Sequence, residues 1–300
     1  MKSIEFSRLN PKKEGKDILA HYENILLDPL AKNLIKQVQW WHLNAISLTK
    51  NELYPLAIIG KGAPILLLHG FDSSFLEFRR LVPLLSKRYK LIIPDLYGFG
   101  FCPRPENGIY SEETILSQLN EIIKKINSDS LGIIGASMGG ALATKLAREN
   151  PKTINRLLLL SPAGLTGKKV SVPKPFDKLG AWFLKQKPIR KALCKQAFAD
   201  PSSSVGPAEE EIASLHLNVE GWASSLAAFA RSGGVANCGL PLPSQEMDVI
   251  WGNEDRILRG EVKESSMKLL EGKAQLISNC GHLPHLDQPK FVANCWLKDN

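Results

Sequence analysis

Leu131-Gly-Ile-Ile-Gly135-Ala-Ser137-Met-Gly139-Gly140-Ala-Leu-Ala-Thr-Lys-Leu-Ala147 is the stretch from which the rest of the chain can be read. Leu131 to Ile134 is an apolar run suited to a buried strand, and the Ala- and Leu-rich run from Gly140 suits a helix. Between them lies Gly-x-Ser-x-Gly, with Ser137 at the junction. A sharp strand-to-helix turn holds such a serine in a strained backbone geometry and lifts its Oγ above the sheet. Strand and helix then pass so closely that side chains two residues to either side of the serine would collide; Gly135 and Gly139 remove them. The helix N-terminus behind Ser137 offers unpaired N–H groups and a positive dipole end, both suited to an oxyanion. An incidental serine in a glycine-rich turn would share the five-residue pattern, but the strand and helix on either side favour a nucleophile.

Outward from this junction, short apolar runs recur at residues 64–70, 90–96, 156–162, 247–252 and 274–278. Helical spacing separates them, with Phe75, Phe78, Leu81, Val82 and Leu85 on one side of the first helix and further helices at 114–126, 260–271 and 289–296. Such alternation predicts an α/β fold, a mostly parallel central sheet with helices on both faces. Upstream, residues 17–41 are helical in part, and 42–59 alternate as an opening antiparallel hairpin. Between 163 and 243 the strand rhythm stops and helical patterns take over, at 178–198, 209–217 and 221–231. The division expected is an arm and first hairpin over 1–53, a core over 54–162 and 244–300, and a helical cap inserted at 163–243.

The 300 residues carry a formal charge of +8, with ordinary apolar content for a soluble domain. The opening residues Met1 to Arg8 lack the apolar segment of a signal peptide, and no apolar run is long enough to span a bilayer. Five widely spaced cysteines, with no C-x-x-C pair, argue against a disulfide framework or a zinc site, so the cytoplasm is the expected location. Charge concentrates at Lys168, Lys169, Lys174, Lys178, Lys185, Lys187, Arg190, Lys191 and Lys195. A solvated helix face is the ordinary explanation; attraction to an anionic membrane surface is the alternative. No nucleic-acid-binding motif accompanies the charge.

A serine hydroxyl needs a positioned base. Asp255 lies just past the strand ending at Trp251, and His282 just past the last strand, so the chain order is Ser137, Asp255, His282. His282 would take the serine proton, and Asp255 would orient the imidazole and stabilise its cation. The oxyanion donors expected are the N–H of Met138 and, from the loop after His69-Gly70, the N–H of Phe71. Glu254 is the rival of Asp255 for the acid role. His69 suits a buried structural histidine better than a base, Asp95 a turn brace, and Ser73 and Ser74 either turn formation or substrate contact. His285 suits either solvent or a pocket wall.

Taken together, Leu68-His69-Gly70-Phe71, Asp95-Leu-Tyr-Gly98-Phe-Gly100, Gly135-Ala-Ser137-Met-Gly139-Gly140, Gly252-Asn-Glu-Asp255 and Gly281-His282-Leu-Pro resemble the α/β-hydrolase superfamily. The ordered set covers the chain from about Tyr54 onward, apart from the insertion. The stretch from His69 to Arg79 is similar to the chlorophyll dephytylase branch of plants and cyanobacteria, which removes a phytyl ester from a chlorophyll-type pigment. The resemblance implies an α/β-hydrolase fold with a lid over an apolar pocket; Phe176, Trp182, Phe183, Leu184, Phe198, Trp222, Leu226 and Phe229 would line that pocket or form the lid's own core, and Ser73 would contact substrate. It also implies a serine hydrolase acting on a carboxylic ester with a large apolar moiety, without cofactor, metal or obligate protein partner. A serine at the nucleophile position argues against epoxide hydrolases and dehalogenases of the superfamily, which carry an aspartate there. Thioesterase, carbon–carbon hydrolase and lyase chemistry would reuse the same oxyanion hole. From another class, a ligand-sensing receptor would have kept the fold and triad.

Overall fold

The computed structural model describes residues 14–44 and 52–298; Met1 to Arg8 and the turn of the opening hairpin lie outside them. Eight strands form one sheet: β1 (Val38–His42), β2 (Leu53–Ile59), β3 (Pro64–Leu68), β4 (Lys90–Pro94), β5 (Leu131–Ala136), β6 (Ile154–Leu160), β7 (Glu246–Gly252) and β8 (Ala274–Ile277). Their order is β1-β2-β4-β3-β5-β6-β7-β8. The β1/β2 and β2/β4 pairs are antiparallel and all the others parallel. The expected mostly parallel sheet is therefore what forms. The opening hairpin starts earlier than its alternation suggested: Trp40 and Trp41 belong to β1, where aromatic residues suit a pleated edge. Although β1 falls within residues 1–53, it is hydrogen-bonded into the same sheet as the core strands.

Alternation along the central strands divides the core in two. Leu66, Leu68, Ile133, Leu157, Leu159, Val249 and Trp251 face a cluster containing the helices Glu112–Ile126 and Met138–Glu149. Ile65, Leu67, Ile134, Leu158, Leu160 and Ile250 face a second cluster, with the helices Gly15–Tyr22, Pro29–Ile35 and Pro289–Leu297. Period-two side-chain direction thus puts helices on both faces. Ser111 accepts from the Thr114 N–H at the start of its helix, and Asn127 closes it in the left-handed conformation.

Between β6 and β7 the described chain forms no strand. The helices Phe176–Lys185, Lys187–Ala197, Pro201–Ser204, Pro207–Leu215 and Trp222–Arg231 fill this insertion. The long helical pattern at 178–198 breaks at the extended Gln186, because Pro188 suits a helix start and not a helix interior. The insertion sits over the carboxyl ends of β3, β5, β7 and β8, where ligands of such sheets bind.

Candidate active site

Ser137 has φ 50° and ψ −118°, the strained turn that the elbow requires. A Cβ on Gly135 would lie 2.5 Å from the Gly139 carbonyl oxygen, and one on Gly139 would lie 2.1 Å from that of Leu68. Any side chain at either position would push the serine turn off the ends of β3 and β5. The turn is further tied down by the Ser137 N–H, which donates to Leu160 O at 2.9 Å, and by Ser137 O, which accepts from Gly140 and Ala163.

The three residues far apart in sequence meet above this turn. The Ser137 hydroxyl lies 2.9 Å from His282 Nε2, and His282 Nδ1 lies 2.9 Å from Asp255 Oδ2. Asp255 can only accept, so Nδ1 carries the proton and Nε2 faces the hydroxyl as an acceptor. The Trp251 indole N–H also donates to Oδ2, while the N–H groups of Ile257 and Leu258 donate to Oδ1. Burial raises the Asp255 pKa, but the His282 hydrogen bond and charge and these N–H groups outweigh it and hold the carboxyl below its usual range. Glu254 faces elsewhere, accepting the Cys280 N–H at 2.9 Å.

The loop after β3 lies against the serine, since a Cβ on Gly70 would be 3.2 Å from that of Ser137. Among the described residues, neither the Phe71 nor the Met138 N–H donates to a protein acceptor. His69 is fully buried: its Nε2 accepts the Leu96 N–H at 3.0 Å and its Nδ1 lies 2.8 Å from Gly70 O. Burial pushes it down to about 4, so it is a neutral tie between two strand ends. Asp95 accepts the N–H groups of Phe75 and Phe101 and braces its turn. His285 is buried, its ring 4.9 Å from that of Phe78 and its Nε2 3.1 Å from Glu77 Oε1.

A cavity of about 320 Å³ opens from Ser137 and His282 into the space below the insertion. Phe71, Ser73 and Ser74 line its sheet side; Leu184, Leu193, Ala197, Phe198 and Ile212 line its far wall. Three aromatics expected here are elsewhere. Trp182 points outward and is 59 % exposed, because Ala181 and Leu184 occupy the inner side of its helix. Phe229 is buried against Phe71 and Phe99, with ring centroids 6.1 and 5.1 Å away. Trp222 is buried too, its indole N–H donating to Asp72 Oδ1 at 2.8 Å.

Asp72 is the residue that sequence reasoning missed. It sits beside Phe71 with φ 48°, a left-handed conformation that Asp tolerates. His216 Nε2 bonds Oδ1 at 3.0 Å, and Arg190 pairs with Oδ2. Burial opposes ionisation, yet His216, Arg190 and Trp222 together bring the carboxyl down to about 2. Three side chains of the insertion therefore converge on the loop that carries Phe71. Backbone contacts fasten the opposite rim. The His282 N–H donates to Ala197 O at 2.8 Å, Arg256 donates to Phe198 O and Ala199 O, and Asp287 accepts the N–H groups of Ala199 and Gly281.

Known proteins agree with this architecture. The alpha/beta hydrolase family model matches residues 65–294. The soluble epoxide hydrolase of Corynebacterium sp. (strain C12) is 25 % identical over 266 residues, covering 80 % of this chain and 90 % of that protein. The alpha/beta hydrolase domain-containing protein VTE7 of Arabidopsis thaliana is 26 % identical over 253 residues, covering 82 % and 76 %. Lipase 3 of Moraxella sp. and the 2-hydroxy-6-oxo-2,4-heptadienoate hydrolase of Pseudomonas putida are among further relatives, at 26 % and 24 % identity. In structure, the epoxide hydrolase CorEH superposes with a TM-score of 0.71 at 20 % identity, covering 87 % of this chain and 97 % of that one. A family match spanning most of the chain, on an eight-stranded sheet of this topology, makes this protein a member of the alpha/beta hydrolase family.

Proposed function

We propose that this hydrolase is a serine esterase that cleaves a carboxylic ester with a large apolar moiety through an acyl-enzyme. The observation that carries the reading is the unbroken line Ser137 Oγ to His282 to Asp255, both links 2.9 Å, at the mouth of a cavity whose far wall is mainly apolar, with Arg190, Glu209 and His216 among its lining. In acylation, Ser137 Oγ attacks the ester carbonyl carbon while His282 Nε2 takes the hydroxyl proton. The carbonyl oxygen becomes an oxyanion between the N–H groups of Phe71 and Met138. Collapse breaks the carbon–oxygen bond to the alcohol, and His282 returns the proton to the departing oxygen. Water then gives a proton to His282 and attacks the acyl carbon, and the Ser137 oxygen leaves and recovers that proton. Asp255 holds the imidazole in the tautomer this needs throughout. The insertion over 163–243 acts as the cap that keeps the acyl group out of bulk water.

The resemblance of the residues from His69 to Arg79 to the dephytylase branch supports a long isoprenoid or alkyl alcohol as the apolar part. Ser137 at the nucleophile position speaks against the epoxide chemistry of the Corynebacterium relative. Graded p-nitrophenyl esters test the proposal. A burst of one p-nitrophenol per chain, with stoichiometric fluorophosphonate labelling of Ser137, is expected. Ester turnover with neither burst nor labelling would show that no acyl-enzyme accumulates on Ser137. No turnover of any ester, with labelling intact, would move the chain to carbon–carbon hydrolysis or to ligand sensing.

A further inference from the structure

The helix Phe176–Lys185 inverts the usual arrangement of a surface helix. At 100° per residue, Phe176, Leu179, Trp182 and Phe183 span an arc of about 120°. These four are 62, 56, 59 and 50 % exposed. On the other side, Asp177 and Ala181 are buried and Leu184 lines the cavity. Asp177 pairs with Arg231 of the helix Trp222–Arg231, which fixes the rotation of the helix so that the aromatic arc points away from the protein. A surface helix ordinarily turns its apolar stripe to the core and its charges to water. Here the inner side is occupied and a contiguous apolar arc is left facing out, as at interaction sites.

Charge indicates what covers it. Residues 168–195 hold nine basic side chains and one acidic one, Asp177, although Lys169, Arg190 and Lys191 are paired with acids outside the segment. Lys178 and Lys185 sit on the shoulder of the apolar arc, and Lys174 lies just before the helix. All three are exposed, and among the described residues none has an ion-pair partner. A second copy of this segment would bring like charge against like charge. A bilayer rich in anionic lipid offers the opposite charge and an apolar layer in which Trp, Phe and Leu side chains rest at headgroup depth. We propose that the Phe176–Lys185 face docks this protein on an anionic membrane surface. The helix has Leu184 in the wall of the cavity, so docking places the cavity one helix width from the lipid. The docking itself does not depend on the esterase reading.

Co-sedimentation of the full chain with vesicles of phosphatidylcholine, with and without phosphatidylserine, tests this. Binding is expected only with phosphatidylserine and is expected to weaken with salt, as exposed charges are screened beyond a Debye length of about 8–10 Å. Neutralising Lys174, Lys178 and Lys185 to Gln should weaken it about 100-fold, at about fivefold per charge. Phe176→Ser with Leu179→Ser should weaken it at least about tenfold. Both variants should keep the native melting temperature and the native rate on a small soluble ester, and Ser137→Ala should bind vesicles as the native protein does. Failure of the esterase reading would leave this last result intact, whereas failure of docking would not. No binding at low salt, equal binding to both vesicles, or native binding by the Phe176/Leu179 variant would each overturn the proposal. A lipid-free dimer that this variant dissociates would also overturn it, in favour of a second copy.

Discussion

On the sheet side of the cavity, Ser137 and Asp255 are held by backbone. Ser137 sits on a turn whose shape two glycines dictate, and Asp255 is gripped by the N–H groups of Ile257 and Leu258. The cap side of the Phe71 loop is held by side chains alone: Arg190, His216 and Trp222 reach across to the single carboxylate of Asp72. Backbone fixing leaves a sequence signature, because it demands glycine, a helix start or a strand end at set spacings. Side-chain fixing leaves almost none, since partners 118 to 150 residues apart carry no mutual spacing. The serine side is therefore rigid by local geometry, and the Phe71 end of the cap is positioned by a buried charge cluster that a single substitution can undo.

The sharpest test on the sheet side is Ser137→Ala. It should remove ester turnover by on the order of 10⁶-fold, the scale for loss of a serine nucleophile, with the melting temperature unchanged and fluorophosphonate labelling gone. Asp255→Asn should cost on the order of 10⁴-fold in kcat by leaving His282 in the wrong tautomer. Glu254→Gln, whose side chain accepts the Cys280 N–H among the described residues, should stay within about twofold; equal damage from the two would erase the assignment of the acid.

On the cap side, Asp72→Ala leaves Arg190, His216 and Trp222 without their shared acceptor. A loss of about 3–5 kcal/mol in denaturant stability is expected, the cost of breaking a buried charge pair. Turnover should fall as well, since Phe71 loses its neighbour. If stability held while turnover fell, the cluster would serve the loop alone and not the cap.

The same cluster sets a dependence on pH. Burial lowers the His216 pKa, so the folded chain excludes a proton that the unfolded chain binds below about pH 6.5. Asp72, at about 2 in the fold, resists a proton that the unfolded carboxylate takes up near 3.9. Both shifts have one sign. Their stability is present above pH 6.5 and is lost as pH falls, first through His216 and then through Asp72 between about 4 and 2. Between about pH 4 and 2, where Asp72 titrates, denaturation midpoints of the native chain should therefore drop more steeply than those of Asp72→Asn. Parallel curves would detach the effect from this cluster.

The smallest effects separate wall from surface. Leu193→Ala widens the cavity and should shift the preference between acyl lengths by roughly tenfold, as a methylene or two does in an apolar pocket. Trp182→Ala should leave that preference unchanged.

The positions of strands β3 to β8 along the chain and the meeting of Ser137, Asp255 and His282 could be read in advance because each rests on a local rule: a buried strand is a short apolar run, and the elbow needs its glycines. Trp182, Trp222 and Phe229 could not be assigned from spacing. Helical periodicity says which residues share a face, but not which of two apolar neighbourhoods that face meets. In Trp222 the indole N–H sought an acceptor, and the buried carboxylate of Asp72 supplied it. In Trp182 the inner positions were already filled by Ala181 and Leu184.

The ties between the 197–199 segment and the histidine loop carry a consequence for traffic. A segment bonded to the His282 N–H, to Arg256 and to Asp287 is a strut, and lifting it would pull the imidazole off the serine hydroxyl. Substrate entry and catalytic alignment cannot therefore use the same hinge. Molecules must pass by rotation of side chains such as Leu184 and Leu193, or by yielding at the Asp72 end. On the proposed esterase reading the alcohol leaves by those same routes, so the doorway can open without moving the imidazole.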